Sequence, residues 1–129
     1  FLSTIAWLIS KYSQTKPQAT DLSNAKQRIL NIKELMASMP EQEFSLIELA
    51  EMANLSQWHF LRQFKKHVGL SPHAWLIQSR LQKAQKLLRQ GLNLSEVSQQ
   101  CGFSDQSHFN RHFRQTFGIT PGGYTASLK

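Results

Sequence analysis

The stretch Ser56–Phe64, SQWHFLRQF, returns later in the chain as SDQSHFNRHF at Ser104–Phe113, which sets Arg62 and Arg111 49 residues apart. The likeness extends to both sides. Asn93-Leu94-Ser95-Glu96 follows Ser45-Leu46-Ile47-Glu48 at an offset of 48, and Val97, Cys101, Gly102 and Phe103 match Leu49, Ala53, Asn54 and Leu55. One extra residue enters after the shared serine (Ser56 and Ser104), and the offset becomes 49. His59-Phe60, Arg62, Phe64, Gly69 and Pro72 then reappear as His108-Phe109, Arg111, Phe113, Gly118 and Pro121. A unit of about 28 residues that occurs twice reads as one supersecondary piece used twice.

Each copy opens on a capping-box pattern, Ser45-x-x-Glu48 and Asn93-x-x-Glu96, whose side chains satisfy amides left unpaired at a helix start. A short helix follows, about Leu46–Ala53 in the first copy, and then a tight turn at Asn54 or Gly102. The second helix of the first copy starts at Ser56 and reaches about Val68, where Gly69 stops it. Phe60, Phe64 and Val68 fall at i, i+4 and i+8 and face a core. The pattern is helix-turn-helix, whose second helix enters the DNA major groove. Between the copies, Ser71-Pro72 starts a helix that carries Trp75, Ile77, Leu81, Ala84, Leu87 and Leu88 and closes near Gly91. A further helix from about Ser23 to Met39 carries Ile29, Ile32, Leu35, Met36 and Met39, and Pro40 ends it. Strand-like alternation is absent, so the expected fold is all-α, two helix-turn-helix subdomains joined by a linker helix. The expected bounds are 45–68, 72–90 and 93–117, within a domain of residues 23–129.

On a helical wheel Trp58, Leu61, Arg62 and Lys65 lie opposite the phenylalanines of the first copy. Ser107, Asn110, Arg111 and Arg114 do so in the second. Arginine can hold guanine O6 and N7 together, and asparagine can do the same with adenine N6 and N7. Trp58 and Leu61 can meet a thymine methyl, although half-burial against a neighbouring helix accounts for Trp58 equally well. Lys65, Lys66 and Arg114 suit phosphate contacts. Ser56, Gln57, His59, Ser104 and His108, at the start of each helix, are expected to touch phosphate as well. The competing role for Arg62 and Arg111 is a surface salt bridge.

Charge supports a polyanion partner. Residues 1–51 hold five Lys/Arg against six acids, whereas residues 52–129 hold ten against Glu96 and Asp105 alone. By itself a basic half fits a solvated surface equally well. Joined to paired helices it favours DNA. The linker helix, ~19 residues at 1.5 Å rise, spans roughly 28 Å, which suits successive major grooves about 34 Å apart. One chain would then read a long, non-palindromic site, and bending of the DNA is expected to help.

At these residues the chain resembles a known family. Gly102–Tyr124, GFSDQSHFNRHFRQTFGITPGGY, is close to the signature of the AraC/XylS family of bacterial transcription regulators, and Phe44–Pro72 resembles its first helix-turn-helix. The resemblance covers residues 24–125 or so. It implies seven helices, promoter binding, activation rather than repression, and contact with RNA polymerase. It aligns Trp58, Leu61 and Arg62 with base-reading positions of the first unit, and Gln106, Ser107, Asn110 and Arg111 with those of the second. Two departures stand out: Gly122-Gly123 opens a last helix that relatives build from better formers, and Thr125 occupies a place where Arg is common.

Family members often carry an N-terminal effector-binding or dimerisation domain. Phe1–Tyr12 reads as the helical tail of one, with Ser13–Thr20 a linker around Pro17 and the domain tail ending near residue 22. Homodimerisation through that missing part is expected. The apolar start is too short to span a bilayer, which takes about 20 residues, and a single cysteine, Cys101, fits a reducing cytoplasm. Cys101 replaces Ala53 in the repeat and is expected to be a small buried residue. His108 and His112 stand one helical turn apart, but Asp105 alone could extend them into a metal site, so neither metal nor cofactor is expected. Too few acids and no phosphate-cradling loop argue against an enzyme. Two alternatives are a fusion to an alkyl-transfer DNA repair enzyme, whose reactive cysteines would lie outside this region, and an interaction module that has lost DNA.

Overall fold

The protein was analysed as a computed structural model, which describes residues 22–129. The helix expected at Leu2–Tyr12 and the linker after it lie outside the described residues. Seven helices and no strands occur among the described ones: α1 Leu22–Ser38, α2 Leu46–Ala53, α3 Gln57–Val68, α4 Pro72–Arg89, α5 Leu94–Gln100, α6 Gln106–Phe117 and α7 Pro121–Ser127.

Local chemistry sets nearly every helix start. Ser45 and Ser56 accept from the amides of Glu48 and His59 at 3.1 and 3.2 Å. Asn93 accepts from Glu96 N at 2.8 Å and Ser71 from Ala74 N at 3.2 Å. Each bond satisfies an amide that the helix itself cannot. The second helix of the second copy, α6, departs from the repeat. Its cap is the inserted residue Asp105, whose Oδ1 accepts from His108 N at 2.7 Å, and Ser104 is pushed one place outward. A carboxylate also suits the positive end of the helix dipole.

Two apolar cores form, one per unit. The first gathers Ile29, Ile32 and Met36 from α1, Leu49, Met52 and Ala53 from α2, and Phe60 and Phe64 from α3, closed by Leu76. The second gathers Val97 and Cys101, Phe103, Phe109 and Phe113 against Ile77, Leu81, Ala84 and Leu88 of α4. One helix therefore serves both cores, turning Leu76 to the first and Ile77 to the second. The phenylalanine pairs behave alike: all four rings are fully buried, with centroids 5.6 Å apart for Phe60–Phe64 and 5.7 Å for Phe109–Phe113.

The boundaries differ from expectation only at ends. α1 stops at Ser38 rather than Met39, and α4 at Arg89 with Gln90 as its cap, giving 18 residues, or roughly 27 Å at 1.5 Å per residue. The glycine-rich α7 forms. Two glycines cost it about 1 kcal/mol each relative to alanine. Thr120 offsets this by capping Gly123 N at 3.0 Å, as does Tyr124, whose ring packs 5.8 Å from Phe113 and whose hydroxyl accepts from Arg89 Nη1 at 3.2 Å.

Candidate nucleic-acid interface

Burying Phe60 and Phe64 leaves the opposite side of α3 to solvent. Trp58 is 58% and Leu61 39% exposed, and Gln57, His59, Arg62, Lys65 and Lys66 are exposed too. The exposure decides the open question about Trp58: it stands out from the helix instead of packing on a neighbour. The Arg62 guanidinium lies 4.7 Å from the Trp58 ring centroid, a cation–π contact that aligns the two side chains without consuming the arginine's hydrogen bonds. At the start of α3, Ser56 Oγ and His59 Nδ1 stand 2.9 Å apart.

On α6, Gln106, Ser107, Arg111 and Arg114 are exposed, as is Ser104 just before it. Among the described residues the ion pair found joins Lys83 to Glu41 at 3.1 Å. Among the described residues neither Arg62 nor Arg111 is paired with a carboxylate, which disfavours the salt-bridge role for both.

Two residues of the expected site are turned inward. His108 is half-buried, not presented like His59. Its ring packs edge-on to Phe103 at 5.9 Å, its Nε2 lies 3.0 Å from Nε2 of His112, and its Nδ1 is buried without a partner. The cause is Phe103, larger than its counterpart Leu55, which offers the imidazole a ring to pack on. His108 is therefore less presented to solvent than His59. Asn110 is also half-buried, with Oδ1 covered and unpaired; it occupies the place that Leu61 holds in α3.

The His108–His112 contact requires at least one neutral ring. Burial, aided by the positive fields of His108, Arg111 and His73, holds His112 below the usual histidine range. Among the described residues no group of three or more His, Cys, Asp or Glu is placed to hold a metal ion, and no helix is long and apolar enough to cross a membrane.

The two recognition helices share a neighbour. His73, exposed near the start of α4, lines one surface depression together with Leu61 of α3. It lines a second together with His112 and Thr116 of α6. Both α3 and α6 thus pass beside His73, near the start of the linker helix. Residues that sequence reasoning passed over sit behind this surface. Arg28 Nε donates to Ala53 O at 2.8 Å, tying α1 to the first turn, and Lys83 Nζ reaches Gln100 O at 3.1 Å, tying α4 to the second. A cation before a helix-turn-helix unit is too weak a signal to have revealed either bond.

Comparison with known proteins agrees with this geometry. Residues 49–127 match the family model described as a helix-turn-helix domain. The HTH-type transcriptional regulator MtrA of Neisseria gonorrhoeae is 34% identical over 98 residues, which cover 75% of this chain and 33% of that protein. The DNA-binding domain of AdpA, solved in complex with a target DNA, superposes with a TM-score of 0.73 at 30% identity, covering 78% of this chain and 91% of that one. An AraC-type transcriptional regulator from Chromobacterium violaceum superposes at 0.70 with 27% identity, covering 82% and 93%. The chain spans about a third of the length of the first curated relatives it matches. These relatives are regulators, not enzymes. Two capped helix-turn-helix units on one linker helix, with this match across both, place the chain in the AraC family of helix-turn-helix transcriptional regulators.

Proposed function

We propose that this chain reads one long, non-palindromic DNA site by laying α3 and α6 into successive major grooves. The observation that carries the reading is the recurrence of an exposed, carboxylate-free arginine, Arg62 and Arg111, at one place on two helices whose inner sides are locked by matched phenylalanine pairs. Trp58, Leu61 and Arg62 read bases in the first groove. Gln106, Ser107, Asn110 and Arg111 read them in the second, Asn110 by swinging its half-buried amide outward. Ser56, Gln57, His59, Lys65 and Lys66 hold phosphates around α3, and Ser104 and Arg114 hold them around α6. The passage of both helices beside His73 is compatible with engagement from one side. The linker helix is somewhat shorter than the ~34 Å between successive major grooves, which favours DNA bent toward the protein.

In the whole protein this domain regulates transcription, with activation through RNA polymerase contact as the sense that the family resemblance implies.

Selection of bound duplexes from a random pool supplies the site. Arg62→Ala and Arg111→Ala should then each weaken binding by about 1–3 kcal/mol and relax preference at one position. Parent-like affinity across salt concentrations for either variant removes that arginine from base reading. A flat salt dependence of the parent would replace DNA binding with a protein-interaction role, because phosphate contacts give a steep log–log slope.

A further inference from the structure

Arg80 lies on α4 and is 7% exposed. A buried guanidinium is costly unless its donors are satisfied, and here the partners come from far away in sequence. Nε donates to Pro40 O at 2.6 Å and Nη2 to Gln42 O at 3.0 Å. One turn along, Lys83 Nζ meets Glu41 Oε1 and Gln100 O, both at 3.1 Å. Gly102, in the turn of the second unit, comes so close to Glu41 that a Cβ there would stand 2.8 Å from its carbonyl oxygen. The connection between α1 and α2 belongs by sequence to the first unit. In space it is strapped across α4 to the turn of the second.

Apolar side chains of similar volume often replace buried charges without loss of stability. What carbonyl-directed donors add is a defined orientation. We propose that Arg80 is a positioning residue: with the Lys83–Glu41 pair it latches the Pro40–Gln42 segment onto the second unit and fixes the mutual orientation of α3 and α6. The inference rests on the two-groove reading and adds what makes it efficient. With the orientation set beforehand, seating one helix presents the other at high effective concentration. A loose pair would have to be ordered upon binding.

The test uses the 129-residue chain and a duplex selected from a random pool, together with two derivatives in which one half-site is scrambled. Arg80→Met should lose about tenfold or more on the whole site while each single half-site is bound within about twofold of the parent. Arg80→Lys, which can still donate to the two carbonyls, should recover part of the loss. Glu41→Gln, which weakens only the Lys83 contact, should show the same pattern more weakly. Equal affinity of Arg80→Met and the parent for the whole site overturns the latch, and so does an equal loss on whole and half sites. A measurement on the unmodified protein guards against misfolded variants. Residual dipolar couplings of the two units in the absence of DNA should fit one alignment tensor, and a need for two overturns the proposal. Failure of the two-groove reading looks different: the parent itself would bind the whole site no tighter than its better half.

Discussion

Replacing Gly102 with alanine separates two costs that usually arrive together. Gly69, Gly102 and Gly118 all have left-handed backbone, with φ of +93°, +88° and +81°. An L side chain in that region costs roughly 1–2 kcal/mol. At Gly69 and Gly118 a new Cβ would meet nothing within 4 Å, so that cost stands alone. At Gly102 the Cβ would lie 2.8, 2.9 and 3.1 Å from O, Cα and C of Glu41. These are backbone atoms of a segment pinned on both sides by Arg80, and they cannot swing aside as a flexible side chain would. Relief requires a shift of the segment, of the size that overpacking imposes, typically ~1–3 kcal/mol. Gly102→Ala should therefore cost about 2–5 kcal/mol, and Gly69→Ala and Gly118→Ala about 1–2 kcal/mol. Urea unfolding of the three variants and the parent, read as midpoint shifts at constant slope, measures the difference. In an Arg80→Met background the penalty at Gly102 should shrink, because the strap is free to move. If Gly102→Ala proves no worse than Gly69→Ala, the close docking of Glu41 on the second turn is wrong.

Other substitutions address the cores, the interface and the buried thiol. Phe60→Ala and Phe109→Ala each empty a fully buried position and should lower unfolding free energy by roughly 3–5 kcal/mol; an unchanged thermal melt refutes the core assignment. Lys65→Ala should weaken every DNA sequence alike and reduce the log–log salt slope by about 0.9, and a sequence-selective loss would make Lys65 a base reader instead. Burial pushes the Cys101 thiol up from near 9 to about 11. The unfolded chain then releases its proton first, so stability holds below about pH 9 and falls as pH rises toward 11. Cys101→Ala, which copies the first unit's Ala53, should flatten that segment of the stability–pH curve, and identical slopes in parent and variant contradict it.

Much of the architecture could be read in the chain because its signals are local. The serine, asparagine and threonine caps, the prolines that open α4 and α7, and the i, i+4 phenylalanines act within one turn, and the structure places them as that chemistry demands. The inserted residue was harder. Ser104 aligns with Ser56 by type, and only the backbone shows that Asp105 takes the cap and moves the serine out. The double duty of α4 was not legible in the sequence: a helix serving two cores is buried over a wide arc, which is why Leu76 joins the first core and Arg80 is enclosed. Arg80 counted as one more positive charge because its partners, Pro40 and Gln42, lie 40 and 38 residues away. The outward arginines were legible by repetition, whereas the inward turn of His108 depends on Phe103 reaching it across the turn.

The account as a whole requires that both recognition helices sit on one duplex at once. Hydroxyl-radical footprinting of the chain on a selected site tests this most directly. The expected pattern is two protected windows about 10–10.5 base pairs apart on the same face of the helix. A single window, or two windows offset by half a turn, would contradict it.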